Sequence, residues 1–447
     1  MPFKVNIFGL GKSGAAAAEL CLGLGYEVVV FDEADNDSLQ AAKKDLSSQG
    51  AKVELAYRLS TAPGANLGVA SPGIGENSFL GKALSQADYP IISEIGLAVR
   101  FCRCPILAIT GTNGKTTVTE MSEHFLRHAG KKVLACGNIG YPLSRAVMRS
   151  TELDFLVVEI SSFQLEKLTG FAPYAAALLN ITSDHLDRHG SMARYADVKF
   201  SIFNNIDHPS RMIVRNDLLA DWRKHGFTGQ PTVFSQSPAD DVDFHVKDGD
   251  VLWNDQACQR RIVSLADTTL RGSHNAENLM AALALLWRAG IPPTSLADAI
   301  KTFKTGAHRI ELFAEKDGIV YVNDSKSTTP DSTVAALRTF GSRRNVCLIA
   351  GGLDKDMDFS SILSEKKRIK QIFLVGKCSG RLAILFSKRI PYLQCESFET
   401  AVENACETAK AGDIVLLSPA CASMDMFKNY IERGETFKSI INRRLSR

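Results

Sequence analysis

The chain has 447 residues, of which 45% are hydrophobic and 23% are charged, so it can bury several apolar cores and does not have the composition of a disordered chain. Its 52 Lys and Arg residues nearly balance its 49 Asp and Glu residues, and a net charge of +3 is too small to predict nucleic-acid or membrane binding by bulk electrostatics. At about 100 to 200 residues per domain, the length predicts about three domains.

Neither a signal peptide nor a membrane span is predicted. The N-terminal segment "MPFKVNIFGLGKSG" leads directly into a strand pattern that breaks at Gly9, and no run reaches the ~18 apolar residues of a membrane span. We therefore expect a cytosolic protein. We also expect a monomer that binds small molecules and has no nucleic-acid or membrane partner.

Residues 1–93 alternate Val- and Ile-rich runs with helical patterns, and the runs read "KVNIFGLG", "GYEVVVFDE", "ANLGVASPG" and "YPIISE". Strands separated by helices predict a parallel sheet, so we expect a Rossmann-like domain over this range.

The first loop of this domain, "FGLGKSG", has the GxGxxG spacing at Gly9, Gly11 and Gly14, and Asp32 ends the next strand where an acid could bind a ribose. The spacing indicates only a diphosphate at a helix N-terminus, which a UDP-sugar supplies as well as NAD does. An NAD-dependent oxidoreductase therefore stays open as an alternative at this point.

Ten cysteines are scattered along the chain. The one close pair, Cys102 and Cys104 in "FCRCP", lacks the two-residue spacing and the second pair of a zinc site. We expect the cysteines to be small buried residues in a reducing compartment.

A second α/β series covers residues 94–305. It contains the strand patterns "PILAITGTNGKT", "KKVLACGN", "DFLVVEISS" and "YAAALLNITSDH", and the helix "ENLMAALALLWRAG" with Gly290 as its predicted C-cap closes it.

The loop "GTNGKTT" follows an apolar strand and precedes a segment with apolar residues at helical spacing: Val118, Met121, Phe125 and Leu126. Strand, glycine loop and helix are typical of a phosphate site, where Lys115 adds a full charge and the Thr116 hydroxyl can bind Mg²⁺. The usual pattern has glycine where Ile109 stands, so a tight turn with a solvated lysine is the alternative.

Two further strand ends in this range carry acidic or histidine side chains. Glu159 ends "DFLVVE", where nucleotide enzymes place a metal-binding acid, although an exposed strand-end glutamate is the alternative. "NITSDHLDRHG" concentrates four residues that suit a cation: Asp184, His185, Asp187 and His189.

The next helix is predicted to begin at Ser191 as its N-cap, and Met192, Tyr195, Lys199 and Phe203 share its apolar face. Lys199 has two possible states. Its stem can pack while the ammonium reaches water, or burial can lower its pKa so that the free amine takes up CO₂ and becomes a carbamate, a negative metal ligand.

A third series covers residues 306–447, with a hairpin over 311–323 and strands in "NVCLIAGG", "QIFLVG" and "DIVLLSPA". The predicted fold is therefore α/β with three domains: Rossmann-like, central P-loop-type ATPase, and Rossmann-like again. Gly306 in "KTFKTGAHR" is a candidate hinge between the second and third, with a passive linker as the alternative.

Together, "GTNGKTT", "EISSFQLE", "NITSDHLDRH", "YADVK", "GSHNAEN", "HRIE", "NDSKSTTPDST", "GGLDKDMDF" and "SPACASMDMFKNYIERGETF" resemble the ATP-dependent Mur ligase superfamily of peptidoglycan synthesis. The resemblance covers essentially the whole chain and is strongest to the members that add D-glutamate to UDP-N-acetylmuramoyl-L-alanine. It implies a first domain that binds the UDP-sugar, a central domain that binds ATP and two Mg²⁺ ions, and a third domain that brings the amino acid.

The resemblance also implies roles for individual residues. The predicted nucleotide residues are Gly111, Thr112, Asn113, Gly114, Lys115, Thr116, Thr117, Asn275, Asn278, Arg309 and Asp324. Thr116 and Glu159 would hold one Mg²⁺, His185 and a carbamylated Lys199 the other, and the implied catalytic residues are Lys115, His185 and Lys199. The predicted UDP-sugar residues are Gly11, Ser13, Gly14, Asp32, Ser71, Asn138 and Gln164. The predicted D-glutamate residues are Lys326, Thr328, Lys355, Ser423 and Tyr430.

Local alternatives remain for some of these residues. Asn138 and Gln164 could bond to backbone, Ser273 or Asn275 could cap a helix, Arg309 could form a surface ion pair, and Lys355 could be solvated. The implied chemistry is acyl-phosphate formation followed by amine attack; another ligase of this type, such as a folylpolyglutamate ligase, is the alternative within the same class.

Overall fold

The computed structural model describes residues 2–166, 168–184, 186–255, 258–340, 343–354 and 357–446. Three sheets follow one another along the described chain, each with helices packed on it. The predicted α/β class with three domains is confirmed, whereas the boundaries at residues 93 and 305 stay predictions.

The first sheet is parallel, with strand order β3-β2-β1-β4-β5, which follows the Rossmann order over its first five strands. Its strands are β1 (Lys4–Phe8), β2 (Glu27–Phe31), β3 (Lys52–Glu54), β4 (Leu67–Ala70) and β5 (Ile91–Ser93), and the helices are α1 (Lys12–Gly23), α2 (Asp37–Ser48), α3 (Phe79–Ser85) and α4 (Glu94–Ala98). The predicted strands are confirmed. The sequence pattern missed β3, because it has only three residues and buries only Val53.

The central sheet has the order β14-β13-β12-β11-β10-β9-β6-β8-β7. Its strands are β6 (Ile106–Thr110), β7 (Val133–Gly137), β8 (Phe155–Glu159), β9 (Ala175–Leu178), β10 (Met212–Arg215), β11 (Thr232–Ser235), β12 (Phe244–Lys247), β13 (Asp250–Asp255) and β14 (Cys258–Ser264). Its helices are α5 (Lys115–His128), α6 (Leu143–Val147), α7 (Ser162–Leu165), α8 (Leu186–His189), α9 (Met192–Phe200), α10 (Leu219–Lys224), α11 (Ser273–Arg288) and α12 (Ala297–Thr302).

The pairing from β7 to β12 is parallel, and β13 and β14 continue it antiparallel. Helices α5 and α11 pack on one face and close one core, which includes Met121, Phe125 and Leu283. The other face shares a continuous core with the first sheet, where α6 packs against α1 and α4. The first and central units are therefore joined by buried apolar contacts.

The third sheet has the order β15-β16-β20-β17-β18-β19. Its strands are β15 (Glu311–Lys316), β16 (Ile319–Asn323), β17 (Val346–Gly351), β18 (Ile369–Val375), β19 (Tyr392–Gln394) and β20 (Ile414–Leu417), and its helices are α13 (Pro330–Thr339), α14 (Ser379–Phe386), α15 (Phe398–Thr408) and α16 (Tyr430–Leu445). The predicted hairpin is confirmed as the antiparallel pair β15 and β16, and the other pairs are parallel.

Short 3₁₀ helices complete the described chain at Val99–Phe101, Ser150–Glu152, Ser201–Phe203, Pro209–Arg211, Asn216–Leu218, Leu265–Asp267, Pro293–Leu296 and Ser360–Glu365. Among the described helices, none is both long enough and apolar enough to cross a membrane. The expectation that all cysteines are buried is wrong: Cys258 is exposed, and Cys102, Cys104 and Cys395 are half-buried in loops or at strand ends.

Candidate active site

The loop after β6 has the backbone of a phosphate cradle. All five residues of β6 are buried, and α5 begins at Lys115 directly after the loop. Gly114 has φ +86°, and a Cβ there would lie 2.3 Å from the Asn278 Oδ1. Glycine is therefore required for the turn and for the close approach of α11. The predicted strand, loop and helix are confirmed.

Two lysine amines meet at one carbonyl of this loop. The Lys115 Nζ donates to the carbonyl oxygens of Gly111 and Thr112, both at 2.8 Å, and the Lys199 Nζ donates to the same Gly111 oxygen at 2.8 Å. Lys199 is only 1% exposed, so the alternative in which its ammonium reaches water is wrong. Met192, predicted on the same face, is 38% exposed because it lies in the first turn of α9.

Burial lowers the pKa of both lysines. For Lys199 the pKa falls well below its ordinary value because of desolvation first and the Lys115 charge second, while Asp184 opposes the shift. The pKa of Lys115 is lowered by desolvation, against the opposing charges of Glu159 and Asp184. A lowered pKa favours the free amine, which is the form that reacts with CO₂.

Glu159 presents a carboxylate oxygen that the described protein does not satisfy. The side chain is 2% exposed, so the alternative of an exposed strand-end glutamate is wrong. Its Oε1 accepts from the Asn138 Nδ2 at 2.8 Å, but the buried Oε2 has no hydrogen-bond partner among the described residues. A buried carboxylate oxygen without a donor suits a hard cation, and the Thr116 hydroxyl lines the same cleft.

The structure separates the described members of the histidine-rich segment: Asp184 lines the same cleft as Thr116 and Glu159, whereas His189 does not. His189 is buried in the central domain: its Nε2 lies 3.1 Å from the Ser162 Oγ, its Nδ1 lies 3.0 Å from a Glu166 oxygen, and burial lowers its pKa. Its ring nitrogens thus lie beside protein groups, and a contact of His189 with a cation stays a prediction. Among the described residues, no three His, Cys, Asp or Glu side chains converge as a metal cluster. The predicted ligand His185 and the Asp187 side chain lie outside what the structure describes.

The third domain supplies the facing wall of the cleft. Burial raises the pKa of Asp324 to about 6, although its carboxylate accepts from the Ser418 hydroxyl at 2.8 Å and from the Ile310 N–H at 3.1 Å. Burial, and next the Arg309 charge, lowers the pKa of Lys326 to about 8. The Lys326 Nζ lies 3.9 Å from the centroid of the Tyr430 ring, which brings two predicted D-glutamate residues together.

Residues from the central and third domains thus line one cleft of about 310 Å³. The predicted site residues on its walls are Thr112, Asn113, Gly114, Lys115, Thr116, Thr117, Asn138, Glu159, Asn275, Asn278, Arg309, Asp324, Lys326 and Thr328. Gly111 lies behind them and contributes its carbonyl. The capping alternative for α11 is wrong, because Gly272 is the N-cap and the Asn275 Nδ2 donates to the Arg271 carbonyl.

A separate cleft lies over the first glycine loop. Gly11, Ser13, Asp32 and Ser71 line it, whereas Gly14 is packed beneath: a Cβ on Gly14 would lie 1.8 Å from the Gly9 oxygen. Both Asp32 oxygens accept backbone N–H groups, from Leu10 at 2.7 Å and from Ala34 at 2.8 Å. Asp32 therefore holds the loop in shape, and a contact with a ligand stays a prediction.

Sequence comparison then decides the family. Residues 109–286 match the Mur ligase middle domain, and residues 308–421 match the family described as "Mur ligase, glutamate ligase domain". A "UDP-N-acetylmuramoylalanine--D-glutamate ligase" of Thermoanaerobacter pseudethanolicus is 36% identical over 446 residues, which cover 98% of each chain. The chain belongs to the Mur ligase family. A relative with the same name from Pelotomaculum thermopropionicum is 38% identical over 98% of this chain and 97% of its own.

Solved Mur ligases share the fold at low sequence identity. A UDP-N-acetylmuramate-alanine ligase of Thermotoga maritima superposes with a TM-score of 0.62 at 17% identity, covering 99% of both chains. A MurF ligase of the same organism, solved in complex with ADP, gives a TM-score of 0.63 at 17% identity, covering 94% of this chain and 95% of its own.

Two of the predicted UDP-sugar residues, Asn138 and Gln164, form hydrogen bonds within the protein. The Gln164 Oε1 accepts from the Ser161 N–H at 2.9 Å, so the backbone-bonding alternative is present there, and Asn138 bonds to Glu159 as described above. Ser423 is buried after β20. Lys355 lies outside the described residues. Substrate contacts of all these side chains stay predictions.

Sequence reasoning missed a buried arginine of this Mur ligase. Arg433 on α16 is 1% exposed and donates to the Ser325 Oγ at 3.0 Å, the Ser325 carbonyl at 2.8 Å and the Cys421 carbonyl at 3.1 Å. Burial lowers its pKa to about 10. It ties together the segments that carry Lys326 and Ser423. The sequence did hold one indication that Arg433 is buried: it lies four residues before Phe437, on the same face of the helix.

Proposed function

We propose that the protein is an ATP-dependent, ADP-forming amide ligase that adds D-glutamate to UDP-N-acetylmuramoyl-L-alanine during synthesis of peptidoglycan precursors. One observation carries the proposal: the Lys115 and Lys199 amines meet at the Gly111 carbonyl, in a site whose cleft also contains the unsatisfied Glu159 oxygen and Lys326 of the third domain. The names of the D-glutamate ligases at 36% identity or more supply the substrate class.

The cleft suits the activation of a carboxylate. A carboxylate is a poor electrophile, and transfer of the ATP γ-phosphoryl group to the L-alanyl carboxylate makes an acyl phosphate with a good leaving group. Lys115 and the backbone N–H groups in the first turn of α5 would hold the phosphates. The amine of D-glutamate then attacks the acyl carbon, the amide bond forms and phosphate leaves.

Thr116 and Glu159 would hold one Mg²⁺, since both offer oxygen donors and Glu159 has an unused one. We further propose a second Mg²⁺ held by His185 and a carbamylated Lys199. The amine nitrogen adds to CO₂ and loses one proton, and the resulting carbamate keeps one N–H that can still donate to Gly111. The metal ions would neutralise phosphate charge during transfer.

Recognition of D-glutamate falls to the third domain. Lys326, Thr328, Ser423 and Tyr430, together with Lys355, would contact the amino acid. Two lysines suit a dicarboxylate, because each buried carboxylate requires a charged or multiple-donor partner.

The test is phosphate release by the purified protein with ATP, Mg²⁺ and UDP-N-acetylmuramoyl-L-alanine. We expect release with D-glutamate and little with L-glutamate or glycine; release that does not depend on D-glutamate would refute the assignment.

A variant series tests the carbamate. Lys199→Ala should lose most activity and recover part of it with added short-chain carboxylates, while the exposed Lys224→Ala should behave as wild type. Full activity of Lys199→Ala would exclude the carbamate.

A further inference from the structure

The backbone of Asn113, in the nucleotide loop, is held by the side chain of Asn180 in the central domain. The Asn180 Oδ1 accepts the Asn113 N–H at 2.8 Å, and the Asn180 Nδ2 donates to the Asn113 carbonyl at 3.0 Å. The Asn180 carbonyl also accepts the Thr112 N–H at 3.0 Å. Asn180 follows β9, the strand paired with β6, so the two strand ends hold each other.

The side chain of the same residue is contacted from the third domain. The Ser332 hydroxyl donates to the Asn113 Oδ1 at 3.1 Å, a contact between residues 219 positions apart in sequence. Ser332 lies in the first turn of α13, and its hydroxyl is also 2.9 Å from the hydroxyl of Thr329, the N-cap of that helix. The helix start that presents Ser332 is therefore fixed by its own cap.

Helix α13 also lies against α11, which carries the predicted adenine residues. The Thr339 hydroxyl would be 2.5 Å from a Cβ on Gly272, the residue directly before α11. At the other end, Lys326 and Thr328 precede α13 by only a few residues and line the same cleft. A movement of the segment that carries Lys326 and Thr328 would therefore also move Ser332.

We propose that Ser332 is a positioning residue that couples the seating of the third domain to the nucleotide loop through Asn113. This inference rests on the proposed function, since it assigns ATP to the loop and D-glutamate to the third domain. With Asn180 holding the backbone of Asn113, the Ser332 hydroxyl sets the direction of its side chain. The loop has its nucleotide-binding geometry when the third domain contacts it through Ser332, and nucleotide binding in turn favours that contact.

The proposal predicts a specific kinetic pattern for Ser332→Ala. A neutral hydrogen bond changes an equilibrium constant about 2- to 10-fold. We expect the KM for ATP and the Kd for ADP to rise by this factor, with a smaller change in the KM for UDP-N-acetylmuramoyl-L-alanine. Ser332→Thr keeps a hydroxyl and should restore most of the loss. Ser439→Ala, an exposed serine of the same domain, is the matched control and should equal wild type.

A double-mutant cycle separates this coupling from a structural effect. In an Asn113→Ala background, Ser332→Ala should change the Kd for ADP by less than 2-fold, because its acceptor is already gone. Wild-type Kd and KM values for Ser332→Ala, or an equal loss in both backgrounds, would overturn the proposal.

The ADP Kd is measured by calorimetry without D-glutamate or UDP-sugar. A wild-type protein that binds ADP but shows no D-glutamate-dependent phosphate release would refute the proposed function, while the calorimetric comparison would still decide the role of Ser332.

Discussion

Replacing Arg433 by alanine should loosen the third domain and the D-glutamate site together. The guanidinium is the donor for two buried carbonyls and one hydroxyl, and a buried acceptor that loses its donor costs about 1 to 3 kcal/mol. Leaving the two carbonyls without a donor should therefore cost roughly 2 to 6 kcal/mol in the free energy of unfolding. Removal of a buried charge offsets part of this, so we expect a loss of about 3 kcal/mol in the free energy of unfolding.

Thermal unfolding followed by circular dichroism measures this loss. A change of about 3 kcal/mol corresponds to a fall of roughly 10 °C in the Tm of the transition assigned to the third domain. Arg433→Met keeps the packing of the stem and should lose most of the same stability, because the donors are gone. The KM for D-glutamate should rise in both variants, since Ser325 and Cys421 lie beside Lys326 and Ser423.

Arg443→Ala is the control on the same helix. Arg443 is exposed and makes a surface ion pair with Glu399 at 2.8 Å, which is worth at most about 1 kcal/mol. If Arg433→Ala unfolds within about 2 °C of Arg443→Ala, the three hydrogen bonds do not hold the domain together and the reasoning is refuted.

Glu159→Gln should lower kcat on the order of 100-fold and raise the Mg²⁺ concentration needed for half-maximal activity. The reason is that a neutral amide replaces the free carboxylate oxygen. An unchanged magnesium titration of phosphate release would contradict this. Gly14→Ala should unfold at a lower temperature than Gly11→Ala, because its Cβ meets the Gly9 oxygen at 1.8 Å whereas nothing lies within 4 Å of a Cβ on Gly11; equal Tm values would refute the clash. Lys326, with a pKa lowered to about 8, is charged below that pH and neutral above it. The KM for D-glutamate should therefore rise up to tenfold per pH unit above about pH 9. Lys326→Arg keeps the charge and should flatten that profile.

Local sequence predicted the parts of the site that local structure builds. A buried strand, a glycine turn and a helix start within a few residues of one another, so "GTNGKTT" placed Lys115 and Thr116 correctly at a helix N-terminus. The sequence placed Lys199 on an apolar helix face with two possible states. Only its burial excludes the ammonium in water, and the carbamate stays a prediction.

Contacts between distant segments were outside the reach of sequence patterns. The pair of Asn113 and Ser332 is made by two domains, and nothing in either segment marks the partner. Arg433 was not predicted, because all three of its acceptors are supplied by segments that lie elsewhere in the sequence. His189 was grouped with neighbouring Asp and His residues, and its contacts with Glu166 and Ser162 come from tertiary packing that the local sequence does not show.

The position of β20 affects how the chain folds as it leaves the ribosome. This strand is the last in sequence, yet it lies between β16 and β17 and pairs with both. The strands of the first and central sheets have all been synthesised by residue 264, so those sheets can form during translation. The third sheet cannot be completed until residues 414–417 have been synthesised. Until then the facing edges of β16 and β17 are unpaired and could pair with other chains.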